Sequence, residues 1–75
     1  MREGNNMTEV KIRDDFIKLG QALKLCGAVM SGVEAKMLIL DEQVKVNGEV
    51  CTMRGKKLYP GDIFEFEGAE YKIVD

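Results

Sequence analysis

"QVKVNGEV", residues Gln43 to Val50, alternates apolar and polar side chains on both sides of an Asn47-Gly48 pair. Asn-Gly between alternating flanks is a strong hairpin signal, because both residues tolerate the positive φ of a two-residue type I′ turn. A hairpin therefore sits at the middle of the chain. "MRGKKLYPGDIFEF", Met53 to Phe66, follows almost at once. It places Arg54, Lys56 and Lys57 within four residues and then turns at Pro60-Gly61. A cationic run beside a hairpin, in a chain of net charge −2, asks for a reason.

Outward from the hairpin, "VKV", "EVCT", "IFEFE" and "YKIV" read as strands, separated by Asn47-Gly48, Pro60-Gly61-Asp62 and Gly68. Towards the N-terminus, Leu19, Ala22, Leu23 and Cys26 recur at helical spacing within "FIKLGQALKLC". Gly27 suits the stop of that helix, and Asp14-Asp15 suits its positive end better than any acid–base pair. A second helix starts at "SGVE", where Ser31 caps and Glu34 reaches back in a capping box. Its body, "VEAKMLIL", is apolar on nearly every side, which predicts cover from more than one neighbour. "TEVKI", Thr8 to Ile12, alternates and reads as a short strand. Residues 1–7 read as a disordered N-terminal segment, leaving 8–75 as one domain. The class is α+β: two N-terminal helices packed on a small, mainly antiparallel sheet.

Size and composition narrow the functions. A 75-residue chain buries only about 60–65% of its unfolded surface, leaving little room for a deep catalytic pocket. There is no histidine, and Cys26 and Cys51 are the only cysteines. A structural zinc site is thereby excluded, and a nucleophilic cysteine would lack its usual base. Free, buried thiols are the expectation, with a Cys26–Cys51 disulfide as the alternative. Met30, Met37 and Met53 read as core fillers, and Tyr59, Phe64, Phe66 and Tyr71 as core aromatics rather than base-stacking ones. No metal or cofactor is expected. No apolar run reaches the ~20 residues of a membrane span, and the start has no secretion signal, so a cytoplasmic location is expected. The expected state is a monomer.

The negative total hides an uneven distribution. Residues 11–57 hold nine Lys/Arg against six acids, a local +3; residues 58–75 hold one Lys against five acids, a local −4. A basic body with an acidic tail can present a positive face.

The stretch from Lys18 to Phe66 resembles the S4 RNA-binding domain, and the whole chain resembles the short stand-alone bacterial S4 proteins of the YaaA/YbcJ group. The resemblance rests on a Lys-Leu helix start, Ser-Gly-x-x-Ala-Lys, "VKVNGE", "RGKKL" and "PGDIFEF", in that order. It implies an S4-like αL fold that binds structured RNA, ribosomal RNA above all, in a role such as ribosome assembly, without catalysis. Many S4 domains carry Arg or Lys where this chain has Gln21, Gly32 and Met37, which implies a weaker affinity.

Phosphates and shape dominate recognition of folded RNA, and a helix start offers free N–H groups to a phosphate. The candidate RNA contacts are Lys18 and Lys24 on the polar side of the first helix, and Ser31, Gly32 and Lys36 on the second. Lys45 and Asn47 in the hairpin complete them, with Arg54, Lys56 and Lys57 beyond it. The bland reading of 54–57 is a solubilising loop. The rival function is a docking module for a ribosomal or assembly protein. A ubiquitin-like sulfur carrier fits poorly, since such proteins act through a terminal Gly-Gly and this sequence reads "YKIVD" there.

Overall fold

The computed structural model describes residues 7–75, so most of the segment expected to be disordered lies outside the described residues. In chain order the elements are β1 (Met7–Lys11), β2 (Ile17–Lys18), α1 (Leu19–Leu25), α2 (Gly32–Leu40) and β3 (Val44–Val46). Then come β4 (Glu49–Val50), β5 (Lys57–Leu58), β6 (Ile63–Phe66) and β7 (Ala69–Val74). Strands therefore come first, and the expectation of N-terminal helices is corrected. The reason is tertiary: β1 pairs in parallel with β7, setting Val10 beside Ile73, and both are buried.

β1, β7, β6, β3 and β4 form one sheet in that order, antiparallel except at β1–β7. Asn47 and Gly48 have φ of 51° and 89°, the two positive values of the type I′ turn that the Asn-Gly pair foretold. Val44, Val46, Phe64, Phe66 and Ile73 point to one face and are buried. Leu19, Ala22 and Leu23 of α1, with Ala35 and Ile39 of α2, complete the same core. Lys45, Glu65 and Glu70 align in register on the opposite face. Half the sheet's side chains thus anchor the helices, and the other half carry mixed charge.

α1 starts later than its sequence suggests. Ile17–Lys18 is drawn into a separate two-stranded antiparallel ribbon with Lys57–Leu58. Lys18 becomes the N-cap without a side-chain cap bond, and the first turn holds no acid, so Asp14 and Asp15 do not serve its positive end. The stop at Gly27 is as expected. Gly27 takes φ 83°, its N–H donates to the Lys24 carbonyl, and the Ala28 N–H donates to the Leu23 carbonyl, the paired bonds of a Schellman cap.

α2 begins where its capping residues place it. The Glu34 N–H donates to Ser31 Oγ at 3.2 Å. The Glu34 carboxylate accepts from the Met30 N–H at 2.7 Å, one residue upstream of the bond a capping box predicts. Ser31→Ala removes this cap and should cost about 1 kcal/mol. For a domain this size that is a fall in Tm of about 4–8 °C, read from a thermal melt. An unchanged Tm would remove the capping role.

The expected all-round cover of α2 is not there. Val33 is 67% exposed, Met37 65% and Leu40 59%, with Met30 before them at 91%. Only the Ala35 and Ile39 side is fully packed, because the sheet and α1 approach the helix from that side. Met53 is also exposed, so none of the three methionines is a core filler. Phe64 and Phe66 are core, and Tyr71 stacks on Phe64 with centroids 4.9 Å apart. Tyr59 instead stands half-exposed against Phe16, ring to ring at 5.8 Å. Both cysteines are free and half-buried, and burial pushes the Cys26 thiol up from its ordinary pKa.

Candidate nucleic-acid interface

The cationic run 54–57 is tied to the start of α1, not to the hairpin that precedes it in sequence. A helix leaves its first N–H groups without partners inside the helix. Here the Leu19 N–H donates to the Lys56 carbonyl at 2.8 Å and the Gly20 N–H to the Arg54 carbonyl at 3.1 Å. Backbone oxygens of the basic segment thus cap α1, while the β2–β5 ribbon sets Lys18 directly across from Lys57. The segment is braced by main-chain bonds and its charged side chains are exposed.

That bracing builds a cleft of about 310 Å³ lined by Lys18, Gly20, Gln21, Lys24, Gly32, Arg54 and Gly55. Of the candidates, the structure gathers Lys18, Lys24, Gly32 and Arg54 here, with Ser31 adjoining as the α2 N-cap. The Gly32 and Val33 amides, first in α2, have no hydrogen-bond partner among the described residues. Lys18 pairs with no carboxylate among them either. Lys57 has its ammonium 4.8 Å from the Phe16 ring centroid, a cation–π contact that orders the side chain without neutralising it. Like charges facing each other across a strand pair are destabilising, so this ribbon keeps a charge arrangement that its own folding does not favour.

The remaining candidates lie elsewhere. Lys56 lines a neighbouring depression with Asn47, Val50 and Met53. Lys36 is exposed on α2, outside the cleft lining. Lys45 stands on the outer face of the sheet, opposite Glu65. Asn47 uses both ends of its amide internally: Nδ2 donates to Asp62 Oδ1 at 3.2 Å, and Oδ1 accepts from the Ile63 N–H at 3.0 Å. Asp62 Oδ2 in turn accepts from the Tyr59 N–H, so these bonds clamp the hairpin tip to the Pro-Gly turn.

Three residues of the cleft, Gly20, Gln21 and Gly55, were not candidates. Gln21 adds an amide at its edge. Gly20 escaped notice because its only sequence signal is a glycine inside a helical pattern, which by itself lowers helix propensity and says nothing of a neighbour.

The S4 domain family model matches residues 10–74, nearly the whole described chain. The chain belongs to the S4 domain family. This S4 domain is 44% identical over 67 residues to the probable ribosome maturation protein RlbA of Bacillus subtilis, covering 88% of this chain and 94% of that protein. It is 38% identical over 58 residues to the putative RNA-binding protein YbcJ of Escherichia coli, covering 77% and 83% respectively. The solution structure of YbcJ, described as revealing an alfaL motif involved in RNA-binding, aligns with a TM-score of 0.67 at 29% identity. That alignment spans 100% of this chain and 94% of YbcJ. Among the described residues of the S4 domain, no helix is long and apolar enough to cross a membrane.

Proposed function

We propose that this S4 domain is a non-catalytic binder of structured RNA, with ribosomal RNA as its ligand during ribosome assembly. The observation that carries the reading is the cleft where Lys18, Lys24 and Arg54 converge beside the first amides of α2, with no acidic partner for the cations and no acceptor for the amides among the described residues. An RNA backbone supplies the missing negative charge, since phosphate oxygens accept from ammonium, guanidinium and amide donors alike. Lys57 and Lys56 extend the positive surface past the cleft, while Glu65 and Glu70 stand on the outer face of the sheet, away from the helices. The names of RlbA and YbcJ, ribosome maturation and RNA binding, support the same reading.

The exposed apolar stripe of Met30, Val33, Met37 and Leu40 favours a second reading, docking onto a ribosomal or assembly protein. Crosslinking the protein in cells and sequencing the attached RNA separates the two. Ribosomal RNA fragments enriched well above background are the expected result. Crosslinks to protein at α2, with no RNA recovered, would replace RNA binding by docking.

A further inference from the structure

We infer that Gly20 is the positioning residue for Arg54: its missing side chain is what lets the arginine lie over α1 and enter the cleft. The inference rests on the RNA-binding reading of that cleft. Gly20 is buried near the start of α1, and its backbone does not take the positive φ that would call for glycine. Glycine is among the poorest helix formers, so its presence here needs a spatial reason. A Cβ built on Gly20 would lie 2.8 Å from Arg54 Cγ, 3.5 Å from Cδ and 3.6 Å from the Arg54 carbonyl oxygen. The first distance is one that real Cβ atoms essentially never show to a non-bonded atom, so something must shift. Gly32 and Gly55 border the same cleft, and a Cβ at either would meet nothing within 4 Å. The requirement belongs to position 20 alone.

What would yield is decided by the backbone. The Arg54 carbonyl is held by the Gly20 N–H, and the Lys56 carbonyl by the Leu19 N–H. The loop cannot retreat without uncapping α1, so the Arg54 side chain has to turn. Because Cγ is the atom that clashes, the turn is at χ1, and it swings the whole guanidinium away. Gly20→Ala should therefore mimic loss of the Arg54 charge while that charge remains on the protein.

The test measures affinity for purified ribosomal RNA, its salt dependence and thermal stability for Arg54→Ala, Gly20→Ala and the double variant. Arg54→Ala should weaken binding about tenfold, as expected for removing one charge-assisted hydrogen bond. Gly20→Ala should reproduce most of that effect and reduce the magnitude of the log–log salt slope by about 0.7–0.9, one phosphate contact. In the Arg54→Ala background, Gly20→Ala should change nothing further, because the clashing atoms are gone. Parent-like affinity and slope for a folded Gly20→Ala protein, beside a weakened Arg54→Ala protein, would overturn the inference and leave RNA binding standing. If Gly20→Ala unfolds and the double variant restores the fold, the role is packing and positioning is overturned. If Arg54→Ala itself binds like the parent, the assignment of the cleft to RNA fails, and positioning with it.

Discussion

Replacing Arg54, Lys56 and Lys57 together with Glu abolishes RNA retention while the thermal melt stays close to that of the parent protein. The fold survives because what these residues give it is main-chain: the Arg54 and Lys56 carbonyls cap α1, and residue 57 keeps its place opposite Lys18 whatever its side chain. The substitution does take the Lys57 ammonium away from the Phe16 ring, which costs about 0.5–1 kcal/mol at an exposed site. A carboxylate at position 57 faces Lys18 and offsets part of that, since opposite charges across a strand pair contribute about 0.2–1 kcal/mol. Binding has no such compensation. Three charge-assisted hydrogen bonds at about 1.5 kcal/mol or more each amount to a loss of about a thousandfold, before any repulsion from the new carboxylates. Filter binding and a thermal melt on the same preparation check both halves. A folded triple variant that holds RNA as well as the parent would show that the basic segment is only a solubilising loop.

Phe64→Ala carries the largest expected effect on stability. Phe64 is fully buried in β6, set between Val46 of β3 and Tyr71 of β7, with its ring stacked on that of Tyr71. Truncating a buried Phe costs about 3–5 kcal/mol, because the lost burial is compounded by the cavity left behind. A domain of this length has about 4–11 kcal/mol in total. The variant should lose much of its unfolding free energy in urea, and at the lower end of that range it should not fold. A loss under about 1 kcal/mol would mean that the core is not organised around this ring.

How far the sequence could be read depended on whether a feature is local. The Asn47-Gly48 turn, the Ser31 cap and the Gly27 stop each depend on residues within one turn, and each appears where the residues put it. Alternation found β1, β3, β6 and β7 for the same reason. The β2–β5 ribbon was invisible because two-residue strands have no period, and helical spacing ran unbroken into Ile17 and Lys18. Arg54 to Lys57 were legible as a cationic site, but their partner was not. Adjacency pointed to the hairpin, whereas two long-range backbone bonds tie them to α1. An all-apolar helix signals a need for cover without saying what supplies it, and among the described residues nothing covers Met37 and Leu40, which stay exposed. Gly20 could be interpreted only once Arg54 was seen lying across it.

The claim that a cationic cleft neutralises RNA phosphates is tested most directly by the salt dependence of affinity for purified ribosomal RNA. With about four cations engaged, counterion release gives a log–log slope near −3, so a fourfold rise in salt weakens binding by about 1.8 decades. A docking surface of apolar side chains such as Met37 and Leu40 works by burial, which salt at these concentrations scarcely alters. A slope near −3 is the predicted result, and a flat response would contradict the account.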